Sequence, residues 1–426
     1  VPARLSDPLV LPCGTVLPNR LAKAAMTEGL ADVEGRATQR NVRLYERWGA
    51  SGAGLLLTGN VLIDHRFLER PRNVVVERGR DTGMLREVAQ AATAHGAQCW
   101  VQINHPGRQA GLGAEQFVGP SAVPVATGSA VMTRALSTAE IGDLVDRFSY
   151  VAETVQACGF TGVQVHAAHG YLNSQFLSPL TNLRTDEWGG SLENRARLLL
   201  SSVRAVRKAV GPDFAVSVKL NSADFQKGGF TEDESLTVIG WLEEAGIDLL
   251  EISGGNYESM EMVGFSNDGS PQPERRASTV AREAYFVTFA DRIRPHTRVP
   301  LMVTGGFRSR AAMDAALVSG ALDVVGLGRP FCADPAVATR LLSGAISEAS
   351  FPDRAPHIPR EAMPEADDMT HFIAQVQSGI CYNYNRIRDM ADGTATASES
   401  DWLHNLRNHE AVEGTGAADY HARFGG

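Results

Sequence analysis

Eight short β-rich runs, each followed by a helical stretch, fix what this chain can fold into. The runs are LAKAAM (21–26), GLLLTGN (54–60), QCWVQINH (98–105), GVQVHAA (162–168), FAVSVKL (214–220), LLEISG (249–254), PLMVTGG (300–306) and DVVGLGR (323–329). Between them, segments such as MLREVAQAATAHGA, TAEIGDLVDRFSYVAETVQACG and EDESLTVIGWLEEAGI repeat apolar residues every three to four positions. Glycine often closes them, as it closes helices. Strands alternating with helices build parallel βα units. Eight such units predict the α/β class and a closed (β/α)8 TIM barrel. An open doubly wound sheet would carry GxGxxG after its first strand, and none stands there. Ahead of the first run, LVLPCGTVLPN (9–19) reads as a β-hairpin about Cys13-Gly14 that would plug the barrel floor.

Two connections are long for this architecture. One spans 106–139 and is rich in Gly, Ala, Ser and Val; the other spans 255–279 and carries Pro271 and Pro273. Both leave the carboxyl ends of strands, where barrel active sites are built, so both are candidate lids. The rhythm stops near Phe351, which divides the chain into a barrel (1–350) and a C-terminal extension (351–426). The extension opens on the Pro-rich PDRAPHIPREAMPE and continues as MTHFIAQVQSGICYNYNRIRDM, which reads as helical. It could cover the barrel, reach a neighbouring copy in a homo-oligomer, or be partly disordered.

Charge narrows the function classes. The net charge of −9 argues against a general nucleic-acid binder, which needs a basic face to neutralise phosphates. The five cysteines, Cys13, Cys99, Cys158, Cys332 and Cys381, are scattered and form no CxxC. That pattern predicts a reduced protein without a disulfide framework or an iron–sulfur site. VPARLSDPLV at the start holds no apolar signal core, and no apolar run approaches the roughly 18 residues of a membrane helix. The expectation is a soluble cytoplasmic protein with no membrane partner.

Side chains alternate along a strand, so the eight runs can be read for what points inward. Gln164 and His166 share one face, with Val163 and Val165 on the other. Gln102 and Asn104 oppose Val101 and Ile103, and Ser217 and Lys219 oppose Val216 and Val218. With Thr27 and Asn60, these place Thr27, Asn60, Gln102, His166 and Lys219 around the upper mouth. Polar groups are costly to bury unpaired, so convergence from five strands points to a flat ligand with many hydrogen-bonding atoms. The last two runs end in VTGGF (303–307) and GLGRPF (326–331). Gly305, Gly306 and Gly328 allow close backbone approach, and Arg329 adds a planar cation. The loops after barrel strands 7 and 8 commonly bind phosphate. A phosphate joined to a flat polar ring suggests flavin mononucleotide (FMN).

The segment HAAHGYL (166–172) leaves the fourth run with two histidines and a tyrosine. A metal site would need a third ligand, and no HExxH occurs. Core packing and proton transfer are the other readings.

HAAHGYLNSQFLSPLTNLRTDEWGGSLENRARLL (166–200) resembles the old yellow enzyme family of flavin-dependent ene-reductases, in its H-x-x-[HN]-G-Y-L segment and the N-x-R-x-D-x-[WY]-G-G-S-x-x-N-R that follows. NRLAKAAMT, VQINHPGRQ, SVKLN, TGGF and GLGRPF are similar to further segments of that family, so the resemblance covers about residues 5–345. It implies FMN as cofactor, NADH or NADPH as reductant and a small activated alkene as substrate. Ala25, Met26 and Thr27 would line the flavin; Asn60 and Gln102 would bond its pyrimidine edge; Lys219 would sit by N1 and the C2 carbonyl. Gly305, Gly306, Gly328 and Arg329 would hold the phosphate. His166 and His169 would bind the substrate oxygen, and Tyr171 would give the proton. The chain departs from the family at Lys219, usually Arg, at Ala25, usually Pro, and at Asn60, usually smaller.

The resulting expectation is an NAD(P)H-dependent reductase of the C=C bond of α,β-unsaturated carbonyl or nitro compounds. A flavin dehydrogenase or demethylase acting on another substrate class is the alternative, a metal-dependent barrel hydrolase is one of a different class, and a non-catalytic flavin-binding protein is a third. Lys23 shares the alternation of Ala25 and Thr27, which predicts that it points into the barrel with a partner such as Glu251.

Overall fold

The computed structural model describes residues 3–111, 117–125, 132–253, 288–354 and 356–424. Eight parallel strands close on themselves: β3 (Leu21–Lys23), β4 (Leu55–Leu62), β6 (Gln98–Asn104), β9 (Gly162–Ala167), β10 (Ala215–Asn221), β11 (Leu249–Ser253), β12 (Leu301–Thr304) and β13 (Val324–Leu327). The last strand pairs with the first through Val325–Leu21 and Leu327–Lys23, and the first pairs with the second, so the barrel has no free edge. A short β5 (Val74–Val75) adds to β4, and β7 (Phe117–Gly119) pairs with β8 (Thr133–Ala135) outside the barrel. The hairpin β1 (Leu9–Val10) and β2 (Val16–Leu17) lies below, antiparallel as expected.

Helices begin where the sequence can satisfy their free N–H groups. Capping boxes open α1 (Gln39–Gly49) at Thr38, α3 (Thr138–Ala157) at Ser137 and α6 (Glu232–Glu244) at Thr231. The other barrel helices include α2 (Gly83–Thr93), α4 (Leu172–Leu177), α5 (Leu192–Val210), α7 (Arg310–Val318), α8 (Pro330–Ala333) and α9 (Val337–Ser343). The period of two along each strand divides the apolar residues into two cores. Leu55, Leu57, Trp100, Ala215, Leu249, Met302 and Val324 fill the barrel, and the hairpin residues Leu11 and Leu17 join them as the floor. Val101, Val163, Val165, Val216, Val218 and Leu250 face the helices instead.

Lys23 contradicts its expected direction. Ala22 and Ala24 belong to the inner core, so Lys23 faces outward beneath α1. Its Nζ donates to the Leu57 carbonyl at 2.6 Å and lies 4.1 Å from the centre of the Trp48 ring. Burial pulls its pKa down to about 8, against the pull of Glu28. The sequence reading carried the alternation through to Thr27, but the strand ends at Lys23.

The tail is helical, as its pattern predicts. α10 (Asp368–Asp392) and α11 (Trp402–Phe424) share a small apolar core of Ile358, Ala374, Cys381, Tyr382, Trp402 and Leu406. Both dock on the barrel. Arg40 grips Asp392 through bonds of 2.7 and 2.6 Å, and Arg43 donates to the Ala391 carbonyl. Tyr420 packs with Leu62, Leu68 and Val75 and donates its hydroxyl to the His65 carbonyl at 2.8 Å. The connection at 255–279 falls outside the described residues, as do parts of the one at 106–139. No helix among the described residues is long and apolar enough to cross a membrane.

Candidate active site

The carboxyl ends of the strands open into a pocket of about 930 Å³, partly open to solvent. Ala25, Met26, Thr27, Asn60, Gln102, His166, His169, Tyr171, Lys219 and Arg329 all line it.

A polar layer supports the floor of this pocket. Gln102 donates to Gln164 at 2.8 Å, and Gln164 donates to Glu251 at 2.9 Å. Thr304 donates to Glu251 at 2.7 Å, and Lys219 Nζ stands 3.0 Å from the same carboxylate. Glu251 is wholly buried, and the parallel register sets it directly beside Lys219. Glu251 does point into the barrel, as predicted, but it holds Lys219 rather than Lys23. The pair fixes a cation at one end of the pocket with its desolvation offset.

On the opposite side, local irregularity aims the side chains. The β4–β6 register shifts between Leu57 and Asn60, which turns Asn60 inward, where its amide donates to Thr27 Oγ1 at 3.3 Å. Gly59 is required there, since a Cβ would stand 2.5 Å from the Met26 carbonyl.

HAAHGYL leaves β9 through two successive left-handed residues, His169 (φ 61°) and Gly170 (φ 75°). A non-glycine residue in that region is strained and needs outside support. Asn221 Oδ1 accepts from the His169 N–H, and Asn173 and Gln175 bond the His166 and Gly170 carbonyls. The turn sets the rings together: His166 lies 5.2 Å from His169 and 4.9 Å from Tyr171, the latter edge to face. Both histidine pKa values fall well below the usual range, first through burial, then through His169 and Lys219 for His166 and through Lys219 for His169. Both rings are therefore neutral. His166 Nδ1 accepts from the Ala168 N–H, so its proton sits on Nε2. His169 Nε2 lies 2.7 Å from Ser253 Oγ, which fixes that ring.

Neutral buried histidines also set an acid limit on stability. Burial pulls His105 to about 4 and His409 to about 3. Below the ordinary value near 6.5 the unfolded chain takes up protons that the folded chain refuses. Stability is thus full above pH 6.5 and lost as pH falls towards the folded values. Denaturant unfolding at pH 7.5, 6 and 5 is expected to show a loss of about 1–2 kcal/mol for each of His105 and His409 by pH 5. Asp224 and Glu413, pushed up by burial, oppose this. An NMR titration of the folded protein that finds the His105 or His409 imidazole protonated at pH 5 would show that it is not held neutral.

The phosphate residues are only partly gathered. Gly305 (φ 98°) and Gly306 (φ 88°) take conformations that favour glycine, at the end of β12. They and Gly328 do not line the pocket, whereas Arg329 does. Arg308 and Arg329 both lie over the Phe351 ring, at 5.8 and 5.5 Å. Arg308, which follows VTGGF directly, does not line the pocket. Sequence reasoning missed Glu69, Cys332, Asp353 and one face of α10. That face, with Val376, Ile380, Asn383 and Ile387, repeats at helical spacing.

Among the described residues, one trio of potential metal ligands lies close together, Asp64, His65 and Glu77. Arg66 and Arg147 already neutralise Asp64, and Arg80 neutralises Glu77. His166 and His169 belong to no such trio.

The donor set suits FMN: a buried cation, amides along one edge, and an arginine beside glycine-rich strand ends. Comparison with known proteins agrees. Residues 5–348 match the NADH:flavin oxidoreductase / NADH oxidase family. The chain is 36% identical over 352 residues to the NADH-dependent flavin oxidoreductase iliE of Hypocrea jecorina, covering 78% of this chain and 86% of that one. It is 37% identical over 360 residues to the NADH-dependent flavin oxidoreductase iccE of Talaromyces variabilis, covering 78% and 84%. The old yellow enzyme homologue of Zymomonas mobilis has the same fold, with a TM-score of 0.67, 26% identity, and coverage of 81% of this chain and 94% of that one. This chain therefore belongs to the NADH:flavin oxidoreductase / NADH oxidase family, as an old yellow enzyme-like oxidoreductase that works with FMN and a reduced nicotinamide.

Proposed function

We propose that this enzyme reduces the C=C bond of α,β-unsaturated carbonyl or nitro compounds with NADH or NADPH. One observation carries the reading: His166, His169 and Tyr171 share one wall of the pocket with Lys219, with the histidines neutral and the rings in contact. FMN, when bound, would supply the hydride chemistry, with the nicotinamide as the source of electrons.

The chain's own residues do the rest. Lys219, steadied by Glu251, would set a positive charge beside the pyrimidine end of the cofactor, and Gln102, Asn60 and Thr27 would bond its edge. Arg329 would hold the phosphate beside the glycine-rich ends of β12 and β13, whose Gly305, Gly306 and Gly328 stand outside the pocket wall, and Ala25 and Met26 would pack on the ring. His166 donates from Nε2 to the substrate oxygen, and His169 shares that oxygen. Negative charge grows there as the β-carbon is reduced, so fixed donors act most strongly at that moment. Because both rings are neutral, they polarise the oxygen without giving up a proton. Tyr171, at the N-cap of α4, then protonates the α-carbon. A phenol is protonated at neutral pH and can serve as the acid.

The test is an absorbance spectrum of the purified protein before and after anaerobic NADH or NADPH. A flavin band that bleaches and then recovers on addition of cyclohexenone is the expected result. Bleaching without recovery would reject alkene reduction and point to a different electron acceptor.

A further inference from the structure

We propose that Asp353, at the start of the C-terminal extension, is part of the FMN site: it holds Arg329 for the phosphate and accepts a hydroxyl of the ribityl chain. This rests on the reading of Arg329 as a phosphate residue. Asp353 Oδ2 receives two donors, Arg329 Nη1 at 2.8 Å and Asn383 Nδ2 at 3.1 Å. Asp353 Oδ1 is buried and has no partner among the described residues, and Asp353 as a whole is 4% exposed. An orphan carboxylate oxygen is costly to bury, so its place in a pocket wall points to a missing ligand atom.

The chemistry of that atom follows from the carboxylate, which only accepts hydrogen bonds when ionised. The partner must be a donor. Phosphate oxygens and flavin carbonyls are acceptors. The flavin's ring N–H belongs to the pyrimidine end, which Gln102 and Asn60 serve. At the arginine end, the donors that remain are the ribityl hydroxyls. Charge is consistent with this, because Arg308 and Arg329 flank Phe351 and leave a cation in excess of Asp353 for the phosphate.

The fold builds this contact deliberately close. A Cβ on Gly379 of α10 would stand 3.1 Å from the Asp353 carbonyl, so helix and turn meet backbone to backbone. Asn383 Nδ2 also donates to the Gly379 carbonyl at 2.9 Å, which fixes the amide that grips Asp353. Arg386, one turn on, bonds the Cys332 carbonyl at 3.3 Å and so ties α10 to α8, the short helix that Arg329 opens. The extension is therefore placed to complete the cofactor site and not merely to cover it.

Flavin fluorescence, quenched on binding, measures the dissociation constants of FMN and riboflavin for the full chain stripped of flavin. Asp353→Ala is expected to weaken both ligands by about 10–100-fold, the scale of a hydrogen bond to a charged group. Asp353→Asn, which keeps the shape and one acceptor, should weaken both by less and guards against a folding defect. Weaker FMN with unchanged riboflavin would show that Asp353 acts through Arg329 alone and would overturn the ribityl contact. Tighter FMN would show that Asp353 competes with the phosphate, and unchanged affinity would show no contact; either result overturns the proposal. Wild-type protein that takes up neither flavin would be a different failure, that of the flavin site itself.

Discussion

Tyr171→Phe is expected to slow alkene reduction by about 10²–10⁴-fold, the usual contribution of a positioned acid, while reduction of the flavin by nicotinamide continues at its normal rate. Tyr171 is 4% exposed and lies edge-on to His166, so loss of one oxygen leaves the packing in place. What is lost is the proton for the α-carbon. Buried Arg70 would serve as a counter-ion for the phenolate left behind. Arg70 in turn lies 4.0 Å from the centre of the Tyr384 ring on α10 and donates to its hydroxyl at 2.9 Å. Anaerobic stopped-flow kinetics separates the two half-reactions. Equal loss in both would remove Tyr171 from the role of acid.

Glu251→Ala should cost about 3–5 kcal/mol of stability, the usual effect of stranding one member of a buried ion pair. Glu251 receives Lys219, Gln164 and Thr304 inside the barrel, and its removal leaves the Lys219 cation without a counter-charge. Urea unfolding at neutral pH gives the number. The double variant Lys219→Met/Glu251→Leu should recover much of that stability, since apolar replacement of a whole buried pair is often tolerated. It should still bind FMN poorly. A double variant as unstable as the single one would mean that Glu251 matters through Gln164 and Thr304 rather than through Lys219.

The legible part of this protein is local. The eight strands, the hairpin floor and the inward set of Gln102, Gln164, His166, Ser217 and Lys219 follow from the two-residue period, which any short stretch displays by itself. The turn of HAAHGYL is local in sequence, although Asn221 and Ser253, both distant in the chain, hold His169 in place. Asn60 was readable as polar and inward, although the register shift that aims it was not.

Other features depend on neighbours that are distant in sequence. Lys23 was misread because its strand is shorter than its apolar pattern, and only the inner core shows where alternation stops. Lys219 meets Glu251 because parallel pairing sets β10 against β11 in one register, which neither strand's sequence states alone. The helical face of α10 is visible as a period, but a period does not say what it will cover. Its place over the pocket is decided by contacts such as Arg40–Asp392 and Asn383–Asp353, between segments that the chain brings together only on folding. The sequence by itself determined the strands, their faces and the chemistry of the mouth, because these repeat within a few residues. The tertiary structure alone decided which charges pair and which helix closes the cofactor's end, because barrel closure and docking set those distances.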